Sequence, residues 1–117
     1  MTFKMDTRQQ DGVTIVLCSG RITFGDEANA LRDRVKGLLT STKKIVLNCA
    51  SVTNIDSGGL GTLVGLYSSA RASGADIKLT ALGQRLRDVL AITKLSTVFE
   101  VYESDQQALA AFQQGHG

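Results

Sequence analysis

Apolar and polar residues follow one another along the chain in a pattern that predicts strands and helices in turn. Five segments have the length and the apolar content of strands: 3–8, 13–19, 45–49, 77–80 and 98–102. Apolar residues also recur at steps of three or four in four other segments, which predicts helices that begin near Asp26, Ser57, Gln84 and Ser104. The pattern therefore indicates a fold built from both helices and strands.

The first two predicted strands are joined by a polar stretch that ends in Asp11 and Gly12, a dipeptide that favours the positive φ angles of hairpin turns. We expect these strands to pair antiparallel. The strand at 13–19 is apolar at nearly every position, which indicates that it is covered on both faces, at least in part. Because the later strands alternate with helices, we expect them to be largely parallel. We predict one α/β domain over residues 1–117, with a mixed sheet of about five strands and about four helices.

The composition narrows the classes of function. A chain of 117 residues with 43% hydrophobic residues can form one core and is too short for two ordinary domains. The 13 basic and 11 acidic residues are scattered, so the charged patch that is typical of nucleic-acid-binding proteins is missing. No apolar run has the length of a signal peptide or the roughly 18 residues of a membrane helix. We expect a cytoplasmic protein that neither binds nucleic acid nor inserts into a membrane.

The residue types that usually carry catalysis or bind metals are poorly placed. Cys18 and Cys49 lie in apolar strands and belong to no CxxC or Cys/His cluster, so we interpret both as small core residues. The one histidine, His116, lies in the polar C-terminal tail, where it is no candidate for a catalytic base. We expect no metal, no cofactor and no catalytic residues.

The most informative stretch joins the strand at 45–49 to the second long helix and reads Asn54, Ile55, Asp56, Ser57, Gly58, Gly59, Leu60, Gly61, Thr62. Its three glycines each cost up to about 1 kcal/mol relative to alanine inside a helix, so the close approach of another backbone or of a phosphate should favour them. Ser57 is the expected N-cap of the helix. A phosphate on Ser57 would also be tolerated there, because backbone N–H groups and the positive end of the helix dipole meet at this point.

The same residues carry a family resemblance. The run from Asp56 to Gly61, after an apolar strand, resembles the signature of bacterial anti-sigma factor antagonists, the STAS domain family. Four further segments are similar to that family, so the resemblance covers essentially the whole chain: 20–22, 82–90, 93–95 and 104–109.

This resemblance implies a switch that works through protein binding. It implies that Ser57 is phosphorylated by an anti-sigma factor with serine kinase activity. The unmodified protein then binds that kinase and frees a sigma factor, and a serine phosphatase later restores the Ser57 hydroxyl. The implied partner-binding residues lie at the start of the second long helix and in the loop before the first: Ile22, Thr23, Asp56, Ser57, Gly58, Gly59 and Leu60.

Three positions depart from the pattern of the family. Gly58 stands where the family usually has serine, threonine or alanine, and we expect it to loosen the start of the helix. The loop at Thr23 and Phe24 lacks the acidic residue that often contacts the partner. Asn48 occupies a position where aspartate is common. None of these departures removes the hydroxyl of Ser57.

Several residues of the stretch have a second interpretation. Asp56 is either an exposed turn residue or a group that orients the Ser57 hydroxyl or is recognised by the kinase. Leu60 either contacts the partner or belongs to the core, because it is spaced with Leu63 and Val64. Thr62 lies one turn inside the helix and is interpreted as a helix residue rather than a second phosphate acceptor.

Two other functions compete with the switch. An enzyme with Ser57 as nucleophile is disfavoured, because the surroundings are not G-x-S-x-G, no base is available and no phosphate-binding G-x-x-x-x-G-K-[ST] motif is present. A binding subunit without phosphorylation is the second alternative, such as the STAS-like subunits attached to membrane transport systems.

Overall fold

Five strands form one sheet, in chain order, in the computed structural model, which describes residues 3–114. The strands are β1 (Lys4–Gln10), β2 (Val13–Ile22), β3 (Lys44–Ile55), β4 (Asp76–Thr80) and β5 (Glu100–Tyr102). β1 pairs antiparallel with β2, and every later neighbour in the sheet is parallel. The predicted mixed five-stranded sheet is therefore confirmed.

Four helices connect and cover the strands: α1 (Asp26–Leu38), α2 (Ser57–Ala72), α3 (Gln84–Ile92) and α4 (Asp105–Gln114). The first three each join two parallel strands, which a short turn cannot do. Each presents apolar residues at helical spacing to the core, as α1 does with Ala28, Leu31 and Val35. None of the helices in 3–114 is long and apolar enough to cross a membrane.

The hairpin between β1 and β2 forms as predicted. Asp11 and Gly12 both have positive φ, at 54° and 79°, so Gln10 pairs directly with Val13. Both strands run further than the sequence indicated, β1 to Gln10 and β2 to Ile22.

β3 is also longer than the predicted strand at 45–49 and extends to Ile55, into the stretch that was expected to join this strand to the second long helix. The reason is the length of β2, whose last residue, Ile22, pairs with Ile55. In this part of β3, Val52 and Ile55 are buried, while Ser51 and Thr53 face solvent. Its polar residues therefore lie on the solvent-exposed face of the strand. The last strand is shorter than predicted and begins only at residue 100.

Apolar clusters lie on both faces of the sheet. The larger cluster includes Val16, Leu31, Leu63 and Leu86, and it packs the sheet against α1, α2 and α3. The smaller lies under α4 and contains Val13, Ile15, Val46, Ala108 and Leu109. β2 contributes to both clusters, which confirms that it is covered on both faces.

A buried cation adjoins the smaller cluster. Lys78 is 5% exposed, and its ammonium group donates to Asp76 at 3.0 Å and to Glu100 at 2.6 Å. The same group lies 4.5 Å from the centre of the Phe112 ring. Burial alone would lower the pKa of Lys78, but the two hydrogen-bonded carboxylates outweigh it and raise the pKa.

Asp105, the first residue of α4, joins that helix to three strands. Its carboxylate accepts from Asn48 Nδ2 at 3.0 and 3.1 Å, from Thr80 Oγ1 at 2.6 Å and from Arg8 Nη2 at 3.2 Å. Asn48 uses its other side-chain atom, Oδ1, to accept from the backbone of Ala50. The asparagine at this position is therefore the donor that a neighbouring carboxylate requires.

We predict that Asn48→Asp destabilises the fold. The substitution removes the donor and sets two carboxylates against each other, which should lower the free energy of unfolding by about 1–3 kcal/mol at neutral pH. Urea unfolding of wild type and variant at neutral pH measures the loss.

Asn54→Asp is the matched control, because Asn54 is also on β3 but accepts from Arg85 Nε at 3.0 Å. An aspartate there meets a cation and should leave stability unchanged or slightly higher. Equal losses in the two variants would contradict the assignment of Asn48 as an essential donor.

Candidate functional site

The candidate site lies where β2 and β3 end side by side. Because the two strands are parallel neighbours, the segments that follow them leave the sheet at the same edge. The last paired residues are Ile22 and Ile55, and the backbone N–H of Asp56 still donates to the carbonyl of Ile22 at 3.4 Å. The loop before α1 and the start of α2 are thereby brought into contact.

Asp56 is the N-cap of α2 and also holds the loop. Its Oδ1 accepts from the backbone N–H of Gly59 at 2.8 Å, and the carboxylate accepts from the N–H of Phe24 at 3.0 and 3.1 Å. The prediction that Ser57 caps the helix is wrong. Asp56 has the extended backbone of an N-cap, and Ser57 is already the first helical residue.

These hydrogen bonds also fix the charge of Asp56. The backbone N–H of Gly59, followed by that of Phe24, lowers the pKa of the Asp56 carboxyl. The side chain is therefore ionised at neutral pH and places a negative charge next to Ser57. Asp56 therefore has a structural role in addition to the two interpretations given above, because its carboxylate fixes the loop to the helix.

The glycines of the motif allow this contact. A Cβ at position 59 would lie 1.9 Å from the carbonyl oxygen of Ile22, and a Cβ at position 58 would lie 2.6 Å from Cβ of Phe24. The expected close approach of another backbone is confirmed at Gly59. Gly58 leaves room for the side chain of Phe24 at the start of the helix, whereas the expectation was only a looser helix start. A Cβ at Gly61 would meet nothing within 4 Å.

Ser57 is exposed at the first position of α2, a helix whose first turn contains no acidic residue. Thr62, one turn further on, is half-buried, and its hydroxyl donates to the carbonyl of Gly58 at 3.1 Å. This is the behaviour of a helix residue, as interpreted from the sequence.

Of the other residues singled out by the resemblance, some are partly accessible at the surface and others are buried beneath it. Ile22, Gly59 and Leu60 are buried, and Leu60 belongs to the core with Leu63. None of the three presents a side chain to solvent, so they support the site from beneath its surface. Thr23 is half-buried, and its hydroxyl donates to Glu27 Oε1 at 3.2 Å, which brings an acidic group to a loop that had seemed to lack one.

Phe24 lies in the loop from Ile22 to Asp26, which is part of the predicted partner surface, but it is not one of the residues singled out there. Its side chain is 80% exposed. The available signal was a large aromatic residue in a short loop, directly before a glycine and two acidic residues. Pattern analysis reads such a residue as an isolated surface residue.

A groove of about 420 Å³ runs from Ser57 between α1 and α2. Phe24 and Ser57 line it at one end, and its lining includes two cations, Arg32 and Lys36, and no acidic residue. Three of the lining residues of α2 have no side chain to fill it: Gly58, Gly61 and Gly65.

The cysteines lie away from this surface, in the core. Burial raises the pKa of the Cys18 thiol to about 12 and that of the Cys49 thiol well above its usual value, so neither is a thiolate at neutral pH. Within 3–114, no group of histidine, cysteine and acidic side chains could hold a metal ion. His116 lies outside the described residues.

We predict opposite effects of alanine at two glycines of α2. Gly59→Ala forces a methyl group into the carbonyl of Ile22 and should lower the free energy of unfolding by about 2–3 kcal/mol. Gly61→Ala meets open space and should raise it by up to about 1 kcal/mol, through helix propensity. Thermal or urea unfolding of the two variants measures the difference, and a stable Gly59→Ala protein would contradict the close contact.

We predict that the stabilisation by Asp56 depends on pH. A carboxyl whose pKa is lowered by folding stabilises the fold above its unfolded value of about 4, and this contribution is lost as the pH falls through the lower folded value. The stability difference between wild type and Asp56→Ala should be constant from pH 7 to 5 and shrink below 4. Asp56→Asn, which keeps a neutral cap, is the control; a difference that grew on acidification would be the opposite of this result.

Known proteins share both the sequence pattern and the fold of this chain. The family model of the STAS domain matches residues 4–108. The anti-sigma-B factor antagonist of Bacillus subtilis is 27% identical over 101 residues, which cover 86% of this chain and 92% of that protein. A Thermotoga neapolitana homolog of TM1081 is 33% identical over 70 residues, so the match spans 60% of this chain and 62% of that relative.

Solved structures agree in fold. An anti-sigma factor antagonist from Mycobacterium paratuberculosis superposes with a TM-score of 0.84 at 24% identity, over 97% of this chain and 96% of that one. A sulfate transporter family protein from Wolinella succinogenes gives a TM-score of 0.70 at 24% identity, over 86% and 84% of the two chains. The match of the family model over most of the chain and the shared fold show that this protein belongs to the STAS domain family.

Proposed function

We propose that this protein is an anti-sigma factor antagonist controlled by phosphorylation of Ser57. In this proposal the unphosphorylated form binds an anti-sigma factor with serine kinase activity and so releases a sigma factor. A serine phosphatase returns phospho-Ser57 to the hydroxyl. The observation that carries the proposal is the exposed Ser57 side chain at the first position of α2, and the similarity to the anti-sigma-B factor antagonist of Bacillus subtilis supports it.

The capping arrangement makes Ser57 suitable for modification. Because the carboxylate of Asp56 caps α2, the hydroxyl of Ser57 is not needed for the stability of the helix. A phosphate at this position would extend from the positive end of the helix dipole towards solvent. The protein can therefore gain and lose the phosphate without a change of fold.

The electrostatics of the site explain how the phosphate would weaken binding. It adds about −1.5 to −2 charges at neutral pH, next to the ionised Asp56. Burying that group unpaired in an interface should cost several kcal/mol, and 3 kcal/mol alone weakens binding by more than a hundredfold.

The proposed contact surface consists of the accessible parts of Thr23, Asp56, Ser57 and Gly58. The buried Ile22, Gly59 and Leu60 hold that surface in place. In this scheme the kinase supplies the phosphoryl chemistry, and the protein acts by binding rather than as an enzyme.

A second candidate is a STAS-type binding subunit that works without phosphorylation. The likeness to the sulfate transporter family protein favours it, since the same fold serves another class of assembly there. The two candidates differ in whether Ser57 accepts a phosphate.

We predict that purified anti-sigma factor kinases from the same organism, incubated with the protein and ATP, add one phosphoryl group at Ser57. Intact-mass and peptide mass spectrometry measure the gain. Ser57→Ala should show no gain, whereas Thr62→Ala, which removes the next hydroxyl along α2, should be phosphorylated like wild type.

Binding of the same kinases completes the test. Ser57→Ala should retain affinity for the kinase, and Ser57→Asp should lose most of it, because a charge replaces the hydroxyl in the interface. No mass gain with any kinase, together with equal binding by both variants, would exclude the switch and favour the second candidate.

A further inference from the structure

Phe24 is the most exposed of the large apolar side chains in the described part of the chain. It is 80% exposed, and the other exposed ones there are Leu17, Ile92 and Val98, at 37%, 79% and 36%. An isolated exposed apolar residue is common and needs no explanation. The surroundings of Phe24 set it apart.

Hydrogen bonds hold the backbone in place at Phe24 and at the residue after it. Its N–H donates to both carboxylate oxygens of Asp56, at 3.1 and 3.0 Å. The next residue, Gly25, has a φ of 103°, a conformation that other residues rarely adopt, and its carbonyl accepts from Asn29 in α1 at 2.9 Å. The loop therefore presents the ring from a fixed backbone, so little conformational freedom would be lost on binding.

The stem of the side chain rests on α2 next to Ser57. A Cβ at position 58 would come within 2.6 Å of Phe24 Cβ and 2.9 Å of Cδ1, so only glycine leaves room for this placement. One edge of the side chain thus packs on the bare helix while most of the ring faces solvent. An exposed aromatic ring on a fixed loop has the properties of a binding hot spot.

The groove beside Phe24 adds positive charge to this surface. Arg32 and Lys36 line it together with Phe24 and Ser57, and none of its lining residues is acidic. A complementary partner would bring an apolar pocket for the ring and acidic groups for the two cations.

We propose that Phe24 is the hydrophobic anchor of this protein and inserts into an apolar pocket, bordered by acidic side chains, on the anti-sigma factor kinase. The inference rests on the proposed function and names the partner chemistry of the same site. Phosphorylation of Ser57 then acts on this contact directly, because it places a dianion beside the residue that must enter an apolar pocket.

Affinity measurements on variants test the anchor. With purified anti-sigma factor kinases from the same organism, Phe24→Ala should bind about 30-fold more weakly than wild type. Phe24→Leu, which keeps an apolar side chain, should retain most of the affinity. Ile92→Ala is the matched control, since Ile92 is equally exposed at the end of α3, and it should bind like wild type. Lys36→Glu should weaken binding about tenfold.

The outcomes separate the two proposals. If wild type binds a kinase and Phe24→Ala binds equally well, the anchor is overturned and the proposed function stands. Unchanged binding by Lys36→Glu overturns the acidic border of the pocket. If wild type binds none of the kinases, both the proposed function and the anchor are overturned. Unfolding curves check that each variant is folded.

A fluorescence reporter gives an independent readout. The chain contains no tryptophan, so Phe24→Trp carries a single one at the proposed anchor. Its emission should lie at long wavelength in the isolated protein and shift to shorter wavelength when the kinase is added, as the ring leaves water. Binding without any shift would place the ring outside the interface and overturn the anchor.

Discussion

The close contact between the carbonyl of Ile22 and Gly59 is the constraint on which the rest of the site depends. The parallel pairing of β2 and β3 ends at Ile22 and Ile55, and the chain can begin α2 directly above the end of β2 only if the residue at 59 lacks a Cβ. Once that approach is made, the carboxylate of Asp56 is in reach of two backbone donors, one in α2 and one in the loop. The helix-destabilising glycine is therefore compensated by a contact that a better helix former would prevent.

The same geometry leaves Ser57 out of the hydrogen bonds that stabilise the helix. Two adjacent residues, Asp56 and Ser57, could each cap a helix, but only one of them has the extended backbone that capping requires. Asp56 takes that position and its ionised carboxylate holds the helix and the loop. Ser57 is left as the first helical residue, with its side chain in solvent. If Ser57 were the cap, a phosphate would replace a structural hydrogen bond, and modification would change the fold as well as the surface.

Local chemistry allowed much of the fold to be predicted from the sequence. The Asp11-Gly12 turn dictates the hairpin, and the alternation of strands and helices dictates the parallel part of the sheet. The length of β3 could not be predicted, because its second half has mixed polarity and becomes a strand only by pairing with the extended end of β2. The side chains of Asp56 and Ser57 can both cap a helix, so the sequence does not decide between them. The backbone torsions make Asp56 the cap. Phe24 was not singled out within the predicted loop, because its significance comes from Asp56 and Gly58, more than thirty residues away in the chain.

The three departures from the family pattern each have a neighbour that accounts for them. Gly58 leaves room for the side chain of Phe24, Thr23 is hydrogen-bonded to Glu27, and Asn48 donates to Asp105. Taken alone, Gly58 suggests a looser helix, Thr23 a missing acidic group and Asn48 a missing charge. In the structure each of these residues contacts a second residue elsewhere in the chain that suits it. A substitution that restores the common residue at one of these positions would therefore meet a neighbour suited to the present one. For Gly58 and Asn48 that mismatch is physical, a methyl group against Phe24 in one case and two facing carboxylates in the other.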